Sequence, residues 1–275
     1  MIGIFDSGLG GLVVLKSFLE KLPDYNYLYL ADISNLPYGE KKQPEIYSFT
    51  RKAVSFLFNQ GCQLVILACN TASSEALRKI QQEWLPKYYP QKRVLGVIRP
   101  TVEVANETIN TLTNPKVGIL ATQATVSSEA FVRELKKMNS SVEVFQQAAP
   151  GLVPLVEQNW LKEFGDYSKK LNSVLKKNLR NLILAKPDVL VLGCTHYSLI
   201  YEQIRRLVPL EIRIISQEKI IADKLLDYLY RHPEIEKTLK KNSQLNFLVT
   251  SSLKRFQRRA SLFLSREIRV NRAQI

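Results

Sequence analysis

The sequence has 275 residues, of which 45% are hydrophobic and 23% charged, and it carries a formal net charge of +14. This composition excludes a disordered or fibrous protein and is typical of a folded globular chain. No apolar run approaches the roughly 18 residues of a membrane span, and the first residues lack the pattern of a secretory signal, so the sequence predicts a cytoplasmic protein with no membrane partner.

Short apolar runs alternate along the chain with stretches of helical periodicity. Strands are predicted at residues 2–6, 27–31, 64–68, 94–98, 116–121, 142–146, 189–193 and 212–215. Helices are predicted between most of them, for example at 12–22, 45–60 and 73–84. Strands separated by helices indicate βαβ units, and apolar runs without alternation indicate strands covered on both faces. The predicted fold class is therefore α/β with mostly parallel sheets.

Two of the predicted strands end in similar sequences. Residues 65–71 (VILACNT) and 189–196 (VLVLGCTH) each form an apolar strand followed by a cysteine and polar residues, and residues 3–7 resemble 118–122 more loosely. This weak internal repeat predicts two similar α/β halves. Each half then brings one cysteine to the carboxyl end of a strand, which is where open α/β sheets bind ligands.

Prolines mark two places where the chain is expected to pass between the halves, near residues 96–100 and 207–210. The predicted domains are therefore 1–97 plus 207–275, and 98–206. Residues 252–264 place their apolar side chains on one helical face, which predicts a C-terminal helix packed onto a sheet with its basic residues outside.

Cys69 and Cys194 are the strongest candidates for chemistry. Each precedes a predicted helix start, where the helix dipole favours the reactive thiolate. Two buried structural cysteines are the first alternative, and a zinc site formed with His196 is the second. Zinc sites usually contain closely paired cysteines, which this sequence lacks, so no metal is expected. Cys62 is predicted to be structural.

The run DSGLGG at residues 6–11 follows the first predicted strand. It does not match the dinucleotide fingerprint, because Val13 occupies the place of the third glycine. Its glycines and the following helix start favour a site for a carboxylate, with a plain tight turn as the alternative. His196 lies two residues after Cys194, where it is suited to tune that thiolate or to be a structural histidine.

Taken together, the motifs resemble those of the glutamate racemases in the aspartate/glutamate racemase family. The resemblance rests on DSGLGG (6–11), PYG (37–39), ACNTA (68–72) and GCTHY (193–197), which occur in the family's order. It extends over nearly the whole chain. It implies a cofactor-independent amino-acid racemase that supplies D-glutamate for peptidoglycan. It also implies two pseudo-symmetric α/β domains with the active site between them.

The resemblance also implies roles for individual residues. Cys69 and Cys194 match the two acid/base residues of the family. The residues implied to contact an amino-acid substrate are Asp6, Ser7, Tyr38, Gly39, Asn70, Thr71, Thr195 and His196. Asp6 and His196 are further implied to assist the thiols. The sequence departs from the family at Thr101, Ala121, Ala124, Ala149 and Ser198, which puts loop details and affinity in question.

Other functions stay open at this stage. Aspartate racemases use the same two-thiol chemistry, and a thiol-based redox or transferase enzyme is an alternative, although the C-x-x-C pattern of redox enzymes is absent. The net charge of +14 is also compatible with a nucleic-acid-associated binding protein. We expect instead a solvated basic surface and no nucleic-acid partner, because no nucleic-acid module accompanies the charge. The sequence leaves a homo-oligomer open.

Overall fold

The structure is a computed structural model that describes residues 1–159 and 166–275. Within these residues, ten strands form two parallel sheets. The strands are β1 (Ile2–Asp6), β2 (Tyr27–Ala31), β3 (Leu64–Leu67), β4 (Arg93–Gly96), β5 (Lys116–Ala121), β6 (Glu143–Ala148), β7 (Val189–Gly193), β8 (Arg213–Ile215), β9 (Leu245–Val249) and β10 (Val270–Arg272).

The α-helices of the described residues cover the faces of these sheets. They are α1 (Leu12–Lys21), α2 (Gln43–Asn59), α3 (Asn70–Glu75), α4 (Leu77–Lys79), α5 (Leu85–Tyr88), α6 (Ile98–Ile109), α7 (Gln123–Ser127), α8 (Ala130–Met138), α9 (Leu152–Asn159), α10 (Asp166–Leu184), α11 (Thr195–Ser198), α12 (Tyr201–Arg205), α13 (Gln217–Arg231), α14 (Pro233–Glu236) and α15 (Leu253–Phe263). Because both faces are covered, β1, β2, β3 and β7 are buried along their whole length, as their unbroken apolar sequences predict.

The two sheets share one strand order, which confirms the predicted repeat. The first sheet is ordered β10-β9-β2-β1-β3-β4 and the second β6-β5-β7-β8. The four strands β2-β1-β3-β4 therefore correspond in order to β6-β5-β7-β8. In this correspondence β1 is equivalent to β5, and β3 is equivalent to β7, so the strands that precede the two cysteines occupy the same place in each sheet.

Several predicted limits are wrong. The strand predicted at 94–98 ends at Gly96, since α6 begins at Ile98. The helix predicted at 73–84 begins earlier, at Asn70, and is divided into α3, α4, a π-helical turn over Ile80–Trp84, and α5. Pro86 lies in the first turn of α5 and has no N–H to donate to the preceding turn, which accounts for the interruption there.

The C-terminal part of the chain completes the first sheet. Two strands were not predicted from the sequence: β9, which pairs with the outer edge of β2, and β10, which pairs with β9. The predicted C-terminal helix is confirmed as α15. Its buried Phe256 packs against Tyr29 and Phe247, with ring centroids 6.0 and 6.5 Å away, while Arg255 and Arg258 are exposed.

The chain passes between the sheets through two helices. Helix α6 leads from β4 to β5, and α13 leads from β8 back to β9. Since β8 pairs with β7, the second sheet extends beyond residue 206, where the second domain was expected to end. The domain limits therefore stay a proposal, with the return placed between β8 and α13. Among the described residues, no helix is both long and apolar enough to cross a bilayer.

Candidate functional site

Cys69 and Cys194 lie at the carboxyl ends of the equivalent strands β3 and β7. Each residue directly precedes a short helix, α3 after Cys69 and α11 after Cys194. Both are free cysteines and both are buried, with 6% and 7% of their surface exposed. Negative charge on Cys194 adds a small further contribution to the raised pKa of Cys69.

The thiol of Cys69 is held in its protonated form. Burial raises the pKa of Cys69 to about 12, and the negative charge of Asp6 adds to the effect. Two hydrogen bonds lower this pKa, but by less than burial raises it. They come from the backbone N–H of Ala72 and from the hydroxyl of Ser7, whose Oγ lies 3.6 Å from Sγ. The expected lowering of this pKa by the helix dipole is therefore wrong for Cys69. Helix α3 has only six residues, and the loss of water outweighs its dipole.

Cys194 has a cationic neighbour. The Nδ1 atom of His196 lies 3.9 Å from Sγ of Cys194, and Nε2 lies 3.0 Å from Oε1 of Glu157. Burial alone lowers the pKa of His196, but its hydrogen bonds to Cys194 and Glu157 raise this pKa well above its usual value. A protonated imidazole therefore lies between the thiol of Cys194 and the carboxylate of Glu157.

Glu157 is a site residue to which the sequence analysis gave no role. Burial would raise its pKa, but the hydrogen bond and charge of His196, the backbone N–H of Leu9 and the charge of Arg259 hold this pKa below its usual range. The Leu9 N–H donates to Oε1 at 2.6 Å. Glu157 lies in α9, 39 residues before His196, and no sequence signal connects the two residues.

Arg259 joins α15 of the first sheet to the end of α9. Its guanidinium donates to the backbone carbonyls of Glu157 and Gln158 and lies 4.0 Å from the Glu157 carboxylate. Arg259 therefore supports the position of Glu157.

Asp6 links the first strand to the helix after Cys194. Its Oδ1 accepts from the Gly8 N–H at 2.8 Å, and its Oδ2 accepts from the Thr195 hydroxyl at 3.2 Å. Burial raises the pKa of Asp6 to about 6, although the positive charge of His196 opposes the shift. The backbone of the glycine-containing loop thus donates to the chain's own Asp6 and Glu157 carboxylates, and the predicted site for a ligand carboxylate stays a prediction.

Gly10 is required by the close approach of this loop to α11. A Cβ atom added at Gly10 would lie 2.6 Å from Nδ1 of His196 and closer still to Oγ1 of Thr195. We expect Gly10→Ala to lower kcat/KM by about tenfold or more, because it displaces the imidazole beside Cys194. Steady-state kinetics together with thermal unfolding measure both effects.

Gly61→Ala is the matched control for that change. Gly61 has a φ of +90° and open space around it, so alanine there is strained without touching the site. It should lower the stability by about 1 kcal/mol and leave kcat/KM unchanged. Equal kinetic losses in the two variants would contradict the role assigned to Gly10.

A cluster of buried hydroxyl groups lies between the sheets. Oγ1 of Thr71 lies 2.9 Å from that of Thr122 and 3.4 Å from that of Thr125. Gly39 is adjacent, since a Cβ there would lie 2.5 Å from the Cβ of Thr122. Thr122 and Thr125, which follow β5, were not among the predicted site residues. Hydroxyl groups gathered in this way are suited to donate to an anionic group of a substrate.

The departures from the family at Ala121 and Ala124 have a local explanation. Thr122 is the N-cap of α7, and its Oγ1 accepts from the backbone N–H of Thr125 at 3.3 Å. Neither Ala121 nor Ala124 has a positive φ, so no left-handed conformation that would favour glycine occurs at either residue. A threonine cap stabilises this turn without glycine.

Two predicted contact residues have internal partners. The hydroxyl of Tyr38 donates to Asp32 at 2.7 Å, and the amide of Asn70 pairs with Gln217. By contrast, direct contacts link Ser7 to Cys69, and His196 to Cys194. In the described ranges, no three His, Cys, Asp or Glu side chains are grouped as ligands for a metal ion.

Comparisons with known proteins extend over almost the whole chain. The family described as Asp/Glu/Hydantoin racemase matches residues 14–225. The glutamate racemase of Roseobacter denitrificans is 39% identical over 279 residues, which cover 99% of each chain. Glutamate racemase isoform RacE1 from Bacillus anthracis superposes with a TM-score of 0.87 at 28% identity, covering 100% of this chain and 97% of that one. The Francisella tularensis glutamate racemase in complex with D-glutamate gives a TM-score of 0.84 at 28% identity, with 99% and 97% covered.

Proposed function

The chain belongs to the Asp/Glu/hydantoin racemase family and is an amino-acid racemase, and on that premise we propose that it interconverts L- and D-glutamate by two-thiol acid/base catalysis. The observation that carries the proposal is the placement of Cys69 and Cys194 after equivalent strands of two corresponding sheets. Glutamate is proposed as the substrate because the relatives at 39% identity carry that name.

Inversion of an α-carbon requires a proton to leave one face and another to arrive at the opposite face. The structure supports a division of these tasks. Cys194, beside the imidazolium of His196, is suited to take the α-proton as a thiolate, while Cys69, held protonated by burial, is suited to deliver one. In the opposite direction the thiolate of Cys69 takes the proton and Cys194 gives one. The chain's charge is the same after each turnover, since one thiol gains the proton that the other loses.

Negative charge develops on the substrate as the α-proton leaves. The hydroxyl groups of Thr71, Thr122 and Thr125 are arranged in advance and are buried, so they can stabilise this charge without reorganisation. Burial also excludes water, which strengthens each of these interactions. This chemistry assigns no step to a cofactor.

The origin of the incoming proton tests the mechanism. In deuterated water, the first D-glutamate formed from L-glutamate should carry α-deuterium, since the delivering thiol exchanges with solvent. The remaining L-glutamate should stay mostly unlabelled at early times. NMR of both enantiomers during the first few per cent of reaction measures this. Early product that retains α-hydrogen would indicate a single base serving both faces.

Aspartate is the alternative substrate. A circular-dichroism assay with each L-amino acid, without added cofactor, compares kcat/KM directly. A higher value for aspartate would replace glutamate in the proposal and leave the two-thiol mechanism in place. We further propose that the D-glutamate supplies peptidoglycan synthesis in the cytoplasm, which is consistent with the three free thiols.

A further inference from the structure

Gln217 is a buried glutamine that the proposed mechanism does not use. It is the first residue of α13, and none of its surface is exposed. Its amide pairs reciprocally with that of Asn70. Nδ2 of Asn70 donates to Oε1 at 2.7 Å, and Nε2 of Gln217 donates back to Oδ1 at 2.8 Å. Nε2 also donates to Oγ1 of Thr101 at 3.0 Å.

The directions of these hydrogen bonds are mutually consistent. The backbone carbonyl of Val97 can only accept, so the Thr101 hydroxyl donates to it, at 2.7 Å, and offers a lone pair to Gln217. This lone pair fixes which end of the Gln217 amide is nitrogen, and the reciprocal pair then fixes the amide of Asn70. One Nδ2 hydrogen and one Oδ1 lone pair of Asn70 lie outside the pair.

The network joins three elements at one point. Thr101 lies in α6 and Gln217 in α13, the two helices that carry the chain between the sheets. Asn70 directly follows Cys69. Farther along the same two helices, Nζ of Lys224 lies 3.1 Å from Glu103 and 3.2 Å from Glu107. The Gln217 network is therefore the inner contact of the connecting helices, and Lys224 forms an outer one.

We infer that Gln217 is a positioning residue of this racemase: it fixes the Asn70 amide beside Cys69 so that the remaining N–H of Asn70 faces the substrate. The inference rests on the proposed function for the substrate, whereas the hydrogen-bond network is independent of it. It also explains the departure at Thr101. A glycine at that position would remove the hydroxyl that accepts from Gln217 and leave a buried N–H without this partner.

Gln217→Glu tests the inference with a side chain of the same shape. A carboxylate cannot donate to Thr101 or to Asn70, so the Asn70 amide loses its fixed orientation. We expect kcat/KM to fall by about tenfold or more, because buried polar groups of Asn70 and Thr101 lose a hydrogen-bond partner. The loss should appear mainly as a higher KM. Thr101→Val should act in the same direction, and Thr101→Ser, which keeps the hydroxyl, should restore nearly normal KM.

Lys224→Met is the control for the contact between the helices. It breaks the outer contact but leaves the Gln217 network in place, so KM should stay within about twofold of the wild-type value. If Lys224→Met raises KM as much as Thr101→Val does, or if Thr101→Val leaves KM unchanged, the positioning role is overturned.

The side-chain amide of Asn70 provides a readout that does not depend on activity. Its ¹H–¹⁵N resonances should exchange slowly with solvent in the wild-type protein and in Lys224→Met. They should exchange faster in Thr101→Val and Gln217→Glu. Unchanged exchange in both of these variants would overturn the inference. If the wild-type protein fails to racemise glutamate, the proposed function falls, and the exchange data alone decide the inference.

Discussion

Replacing Cys69 or Cys194 with serine should lower kcat/KM for racemisation by at least about a hundredfold, the scale expected for loss of a general acid/base group. A hydroxyl group is a much weaker acid than a thiol, so serine can neither form the base nor deliver the proton at a useful rate. The two enantiomers have equal free energy in water, and kcat/KM must therefore fall by the same factor in both directions. Polarimetry starting from each enantiomer measures this.

Cys62→Ser is the matched control for the thiol substitutions. Cys62 is fully buried but precedes β3, and therefore lies at the opposite end of that strand from Cys69. A buried hydroxyl without a partner lowers the free energy of unfolding by about 1–3 kcal/mol, while kcat/KM of the folded protein should be unchanged. Near-normal turnover of a folded Cys69→Ser or Cys194→Ser protein would eliminate the two-thiol mechanism.

Glu157→Gln should have the next largest effect, a fall in kcat/KM of about ten- to a hundredfold, as for other residues that orient and charge a catalytic group. Glutamine keeps the shape but removes the negative charge 3.0 Å from Nε2 of His196. Because an anion raises the pKa of a neighbouring cation, its removal should lower the pKa of His196. The imidazolium then loses its proton at lower pH.

The pH–rate profile distinguishes this effect from simple loss of structure. In the wild-type protein the rate should fall only at high pH, because the pKa of His196 is raised well above its usual value. In Glu157→Gln that fall should move to lower pH. Glu107→Gln, which changes an exposed carboxylate paired with Lys224, should leave the profile in place. Superimposable profiles for Glu157→Gln and the wild type would contradict the role of Glu157.

The sequence predicts the elements whose signals are local. The central strands are unbroken apolar runs, and the two cysteines recur in similar surroundings, so both the parallel sheets and the pairing of Cys69 with Cys194 could be inferred. Strand β9 was not predicted because Asn246 interrupts its apolar pattern, and β10 was not predicted because Asn271 and Arg272 leave it with a single apolar residue. These strands form because β2 offers them an edge, which is a property of the tertiary fold.

The partners of the site residues could not be inferred in the same way. Glu157 meets His196 because α9 and α11, which follow β6 and β7, pack together, and Gln217 meets Asn70 where α13 begins the return to the first sheet. Residues 39 and 147 positions apart carry no periodic signal that would connect them. The repeat also suggests two equivalent thiols, whereas the structure gives Cys69 the Asp6 carboxylate as a neighbour and Cys194 the imidazole of His196.

The discontinuous first sheet has a consequence for how the protein is made. During synthesis, all strands of the second sheet leave the ribosome before β9, which begins at residue 245, covers the outer edge of β2. Until then β2 exposes a row of unpaired backbone groups, and such an edge can pair with another chain. A chain cut short before residue 245 therefore risks aggregation even though every residue of the thiol pair is already present. The last two strands therefore protect the nascent chain from aggregation and contribute no residue to the thiol pair.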